Sequence, residues 1–154
     1  IVYLSTNQVF DGTRPLRNPF ERVCPINEFG RQKAIAEQEI LKLGNAAVLR
    51  MTKLFNSESR LVQEWRCELE NGNPISPYSN VMVCPVSIDS VVSRITGLIS
   101  AESTGIWHLN GSQELSYADY ALEKCRQWNL DERLIKPVTS PENPGIHYSS
   151  LADA

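Results

Sequence analysis

Two apolar runs bracket one amphipathic segment, and that arrangement constrains the fold more than any other feature of the chain. Ile1-Val2-Tyr3-Leu4-Ser5 and the stretch from Ala46 to Thr52 both read as buried strands. Between them, Asn27 is placed to cap a helix that runs to about Leu43, and Gly44 supplies a left-handed residue to stop it. Strand, helix and strand in this order form a βαβ unit, whose strands pair in parallel through a right-handed crossover.

On that helix Phe29, Lys33, Ala36, Ile40 and Leu43 fall on one face, so the spacing predicts an apolar stripe with a lysine inside it. An ammonium without a partner is costly to bury. Either the Lys33 stem packs while its head reaches water, or Lys33 points into a site and binds oxygen atoms of a ligand.

The rest of the chain repeats the alternation. Prolines 15, 19 and 25 keep the loop before Asn27 extended, and Asp11-Gly12 marks a turn. Ser57 is expected to cap a helix carrying Leu61, Val62, Trp65 and Leu69, and Asn71-Gly72 to end it. The segment from Asn73 to Asn80 reads as loop and Val81 to Val86 as a short extended piece. Asp89 is expected to cap a helix with Val91, Val92, Ile95, Leu98 and Ile99 on its core side. Gly105 to Leu109 reads as a strand. Ser116 and Asp119 have capping-box form before a helix that turns Tyr117, Tyr120, Ala121 and Cys125 inward, and Pro137 to Pro144 reads as irregular. The class is α/β, a doubly wound and mainly parallel sheet of partial Rossmann type with a small added subdomain.

Charge and cysteine usage narrow the partners. A net charge of −3 with no basic run gives no electrostatic case for nucleic acid or a membrane surface. No apolar run approaches a membrane span. Cys24, Cys67, Cys84 and Cys125 show no metal-ligand spacing, so they are expected as free thiols in a reducing, cytoplasmic compartment, with no metal site. None of the eight glycines falls into G-x-G-x-x-G or G-x-x-x-x-G-K spacing. Together with a strand that opens at Ile1, this leads us to expect that a preceding segment, or another chain, completes the domain.

Two motifs make the reading specific. Ser5-Thr6-Asn7-Gln8-Val9-Phe10-Asp11-Gly12 is followed by Pro25-Ile26-Asn27-Glu28-Phe29-Gly30-Arg31-Gln32-Lys33 and, four residues on, Glu37. This resembles the extended short-chain dehydrogenase/reductases, and within them the dTDP-4-dehydrorhamnose reductase branch, whose pattern is approximately S-T-D-Y-V-F-D-G and then N-x-Y-G-x-x-K-x-x-x-E. Leu49-Arg50, the Pro85 segment and Gly105-Ile106-Trp107-His108-Leu109 extend the resemblance over nearly the whole chain, as the second half of such a protein.

The resemblance implies hydride transfer between NADP or NAD and the 4-keto carbon of a nucleotide-linked sugar, as in dTDP-rhamnose biosynthesis, with the main cofactor loop lying outside this chain. A tyrosine donates the proton, and a lysine four residues on, sharing its helical face, holds the nicotinamide ribose and lowers the tyrosine pKa. Carried over by position, Thr6 matches the hydroxyl that bonds the substrate carbonyl, Lys33 matches the lysine, and Ser5, Thr6 and Lys33 face the cofactor. The proton donor falls at Phe29, which has no hydroxyl. Asn7 and Gln8 replace the branch's Asp-Tyr. The expectation is a retained sugar-nucleotide pocket with impaired reduction, the alternative a pseudoenzyme acting as a non-catalytic binding or regulatory subunit. A homo-oligomer or the missing N-terminal half are the macromolecular partners implied.

Other candidates rank below these. His108 is expected in the core or a pocket wall, Trp65 and Trp128 in packing, and Trp107 in packing or at the sugar site. Asp11 reads as a turn residue. Arg50, in a buried strand, needs an anionic partner, a carboxylate ahead of a phosphate. Ser59 and Ser79 lack a nucleophile elbow or a matched base.

Overall fold

A computed structural model describes residues 1–142 and 145–152. The strands β1 (Val2–Thr6), β2 (Ala47–Met51) and β4 (Gly105–Leu109) form a parallel sheet in the order β1-β2-β4. Helix α1 (Glu28–Leu41) connects β1 to β2, as the βαβ reading requires. A second, two-stranded antiparallel sheet pairs β3 (Met82–Val83) with β5 (Leu115–Ser116). Helices α2 (Arg60–Glu70), α3 (Ile88–Ser100) and α4 (Tyr117–Gln127), with short 3-10 turns at Asn7–Val9 and Glu132–Leu134, complete the chain's regular structure among the described residues.

The period of the strands assigns the layers. Leu49 and Leu109 point to the face covered by α3, where they pack with Val86, Val91 and Leu98. The opposite face lies under α1, where Val9, Phe10, Ala34 and Leu151 pack together. A separate core of Phe55, Val62, Trp65, Val83, Tyr120 and Cys125 lies under the small sheet, between α2 and α4. The main sheet and this added subdomain enclose the cleft described below.

Several local expectations need correction. The buried positions of α1 are Gly30, Ala34 and Glu37, whereas Phe29 is half exposed and Leu43 exposed. Two contacts turn the helix by about one residue from the apolar stripe: Gly30 sits against the Gln8 backbone and Glu37 pairs with Arg50 beneath it. On α3, Val91 and Leu98 are buried, but Val92 and Ile99 face outward. Its cap is Ser87, whose side chain accepts from Ser90 N–H. Asp89 sits in the first turn, where its charge meets the positive end of the helix. Helix α2 begins after Ser59 instead of Ser57, because Ser59 closes a turn on Asn56.

The other caps follow the sequence. Asn27 accepts from Gly30 N–H at 2.8 Å, and Ser116 Oγ accepts from Asp119 N–H while its hydroxyl donates to the Asp119 carboxylate, so the cap is made but not the backbone half of the box. Gly44, at φ +73°, ends α1. The two proline-rich stretches are less irregular than expected, since single parallel bridges join Ile75 to Ile135 and Tyr78 to Val138. Of the expected irregular stretch, Asn143 and Pro144 lie outside the described residues.

Candidate active site

The site begins where β1 ends. Thr6 is extended and caps a single 3-10 turn over Asn7–Val9, its hydroxyl oxygen accepting from Gln8 N–H at 3.2 Å. The same hydroxyl donates to Asn7 Oδ1 at 3.3 Å, so its one proton is already engaged. Asn7 in turn donates through Nδ2 to the Ser149 carbonyl at 3.0 Å. An aspartate at this position would set a carboxylate against that carbonyl. The departure at Asn7 therefore has a structural counterpart, an amide that ties the Thr6 turn to the C-terminal segment.

Helix α1 is locked against this turn. A Cβ added at Gly30 would lie 2.1 Å from the Gln8 carbonyl oxygen, so only glycine permits the approach. Asn27 Nδ2 reaches Gln8 Oε1 at 2.9 Å, a second tie between helix and turn. The glutamine at position 8 thus serves as a bracket for the helix start.

Phe29 and Lys33 come together as the i, i+4 spacing requires, with the ammonium 5.9 Å from the Phe29 ring centre and 4.8 Å from that of Tyr3. Lys33 Nζ also donates to the Leu4 carbonyl at 2.8 Å, which leaves two of its three N–H groups for a ligand. Thr6 lines the cleft, while Lys33 and Phe29 lie outside its lining. Ser5 is buried and its hydroxyl donates to Glu37 Oε1, so this side chain supports the sheet from within.

Beneath α1 the register places Ser5, Arg50 and His108 side by side across three strands. Arg50 meets the Glu37 carboxylate through Nε at 3.0 Å and Nη2 at 2.7 Å, both side chains being 3% exposed. Its Nη1 donates to the Pro19 carbonyl at 3.1 Å. The carboxylate partner expected for Arg50 is thus Glu37, the last residue of the helix motif.

His108 closes the row as a core residue, 1% exposed, with Nδ1 donating to the Ala152 carbonyl at 3.0 Å and Nε2 unpartnered among the described residues. Burial pushes its pKa down from 6.5 to about 4; the Ala152 carbonyl opposes this and the Arg50 charge adds to it. An unfolded chain takes up this proton near pH 6.5, whereas the fold keeps the imidazole neutral to about pH 4. Stability is therefore complete above about pH 6.5 and lost progressively toward pH 4, by up to about 3 kcal/mol. Denaturant midpoints at pH 7 and 4.5 should show this loss, and His108→Gln should remove most of it; an unchanged loss in the variant would show that other groups cause it.

The cleft itself has a volume of about 910 Å3. Thr6, Asn7 and Gln8 line one part, and Trp65, Tyr78 and Tyr117 supply aromatic wall. Trp107, weighed above for the sugar site, packs instead on the α3 side, with Nε1 donating to the Thr104 carbonyl. The C-terminal segment adds His147 and Ser149 to the lining. It is stitched down by Glu114, which accepts from the N–H of Ser150 at 2.6 Å, and by Asn110, which brackets Leu151 with both ends of its amide.

Residues 1–146 match the family described as the RmlD substrate binding domain. The chain belongs to this family. Among curated proteins it is 28% identical over 98% of its length to dTDP-4-dehydrorhamnose reductase of Sinorhizobium fredii. It is 25% identical over 98% of its length to methionine adenosyltransferase 2 subunit beta of Rattus norvegicus. It spans 58% and 51% of those two proteins, about half of their length. The fold superposes with a TM-score of 0.87, at 24% identity, on dTDP-4-dehydrorhamnose reductase from Bacillus anthracis in complex with NADP. That match covers 99% of this chain and 57% of the other. A dTDP-glucose 4,6-dehydratase from the same organism in complex with NAD gives 0.82 at 13% identity, a likeness of fold alone.

Within the RmlD frame, Lys53 and Tyr117 are cleft residues that the motif reading passed over. Lys53 Nζ donates to the Tyr117 hydroxyl at 2.9 Å and lies 5.0 Å from the Phe55 ring centre. Neither belongs to a motif, and they are 64 residues apart, so only the fold joins them. Glu37 was visible as the motif's last letter, but its role needed Arg50.

Proposed function

We propose that this chain forms the sugar-nucleotide-binding half of a nicotinamide-dependent reductase acting on a nucleotide-linked 4-keto sugar, and that the reduction step is impaired. The observation that carries the proposal is the pairing of an intact scaffold, Thr6 at the cleft and Lys33 on α1, with Phe29 at the position of the proton donor. The cofactor, NADPH or NADH, supplies hydride when bound. Lys33, with two N–H groups left, suits the hydroxyls of its ribose; the glycine-rich phosphate loop belongs to a segment outside residues 1–154. Thr6 would orient the sugar carbonyl after its proton is released from Asn7, while the phenyl ring at position 29 can pack against a substrate but give it no proton.

A second reading is a non-catalytic binding or regulatory subunit of cytoplasmic location. It is favoured by two features together: the Thr6 proton is spent on Asn7, and no acid stands at position 29. Relatives bearing the name of a subunit, methionine adenosyltransferase 2 subunit beta, support it as well.

The test uses the protein with its complete cofactor-binding half. Calorimetry should show a dTDP- or UDP-sugar binding at micromolar to millimolar concentration, and NADPH oxidation with a dTDP-4-keto-6-deoxy sugar should be well below ordinary turnover of about 1 to 10³ per second. Sugar-nucleotide binding without any NADPH oxidation selects the subunit reading. Failure to bind any nucleotide sugar removes both.

A further inference from the structure

We infer that Thr6 meets the sugar as a hydrogen-bond acceptor, so that the cleft takes a nucleotide sugar with a hydroxyl at C4 in preference to its 4-keto counterpart; this rests on the sugar-nucleotide reading of the cleft and deepens it. A row of hydrogen bonds runs from Thr6 into the protein, and every proton in it points the same way. The Thr6 hydroxyl donates to Asn7 Oδ1 at 3.3 Å, and Asn7 Nδ2 donates to the Ser149 carbonyl at 3.0 Å. The N–H of that same peptide group, on Ser150, donates to Glu114 Oε1 at 2.6 Å.

Only one orientation of the Asn7 amide satisfies both of its neighbours. Turned over, its oxygen would face the Ser149 carbonyl oxygen, acceptor against acceptor. Glu114 anchors the far end, since its carboxylate also accepts the Ser149 N–H at 2.5 Å and the Ser150 hydroxyl at 2.8 Å. A carboxylate on the N–H of a peptide group polarises the carbonyl at its other end, and bonds in series strengthen one another. Glu114 thus acts as a positioning residue: it holds the Ser149–Ser150 peptide, the peptide holds Asn7, and Asn7 holds the Thr6 proton.

What remains at Thr6 is acceptor capacity. A threonine hydroxyl has one proton and two lone pairs. The proton lies on Asn7 and one lone pair accepts from Gln8 N–H at 3.2 Å, which leaves one lone pair on a residue that lines the cleft. A sugar hydroxyl can donate to it. A carbonyl oxygen only accepts, so it gains nothing from Thr6 until the bond to Asn7 is broken, and breaking it leaves Asn7 Oδ1 without its donor. The reduced sugar is therefore the better ligand at this position. A binding subunit can hold it, whereas a reductase has to release it.

The experiment uses the protein with its complete cofactor-binding half. By calorimetry, dTDP-6-deoxyglucose, dTDP-4-keto-6-deoxyglucose and dTDP-4,6-dideoxyglucose are titrated into wild type, Thr6→Val, Asn7→Ala, Glu114→Ala and Glu114→Gln, with the hydrated fraction of the ketone measured by NMR and folding checked by thermal melts. Wild type should bind the 4-hydroxyl sugar about three- to tenfold more tightly than either of the others. Thr6→Val keeps the side chain's shape and should bring all three within about twofold. Asn7→Ala and Glu114→Ala should narrow the gap between hydroxyl and ketone, and Glu114→Gln, which keeps an accepting oxygen, should restore most of it. Equal or tighter binding of the ketone by wild type would overturn the inference while leaving the sugar-nucleotide cleft standing. A hydroxyl preference that survives Thr6→Val would give C4 to another group and also overturn it; Gln8→Met then tests the neighbouring amide, whose Oε1 is taken by Asn27. A gap that Asn7→Ala leaves unchanged would show that the row of bonds does not set it, which overturns the inference too. No nucleotide-sugar binding by wild type would overturn this and the reading on which it rests.

Discussion

Phe29→Tyr, introduced into the protein with its complete cofactor-binding half, is expected to raise the rate of 4-keto-sugar reduction by at least about tenfold. General acid catalysis contributes about 10²- to 10⁴-fold, and the lower bound allows for a Thr6 hydroxyl that must first leave Asn7. The packing cost is small because the Phe29 ring is half exposed and already lies beside the Lys33 ammonium. The new phenol should also appear as an ionisation in the pH profile of kcat, brought below its ordinary value by the neighbouring lysine. Wild-type turnover already at about 1 to 10³ per second would mean that another group gives the proton. No gain despite normal substrate binding would place the lesion at Asn7 and Gln8 as well, since both now serve the scaffold.

What could be read from the sequence was whatever depends on neighbours along the chain. The βαβ unit followed from two apolar runs and a capped segment between them, and Gly105 to Leu109 matches its strand residue for residue. The pairing of Phe29 with Lys33 needed only helical geometry. On α1 hydrophobicity alone points Phe29 inward, yet it is half exposed; in the fold, one close backbone approach at Gly30 and one ion pair at Glu37 decide the rotation. Neither is visible until Gln8 and Arg50 are placed in space. The same limit hid Lys53 and Tyr117, and the misassigned caps at Ser57 and Asp89 reflect turns that a nearby serine closes more economically.

Breaking the Glu37–Arg50 pair from either side is expected to cost about 3–5 kcal/mol, whereas removing both charges should cost much less. Both side chains are 3% exposed, so Arg50→Met leaves a carboxylate and Glu37→Leu leaves a guanidinium in a medium that cannot solvate it. The double variant removes both charges and keeps comparable volume. It still strands the Ser5 hydroxyl and the Pro19 carbonyl, which bond Glu37 and Arg50, so about 1–3 kcal/mol of the loss should remain. Urea midpoints at constant slope measure each step. Singles that cost under about 1 kcal/mol, or a double equal to their sum, would mean that the pair is solvated and does not hold the helix. If the pair behaves as expected, it also bears on function. Glu37 lies one turn beyond Lys33 and fixes the rotation of α1, and with it the position of Lys33 over Leu4 and Tyr3. The folded double variant should accordingly bind nicotinamide cofactor more weakly, which titration of the protein with its complete cofactor-binding half measures.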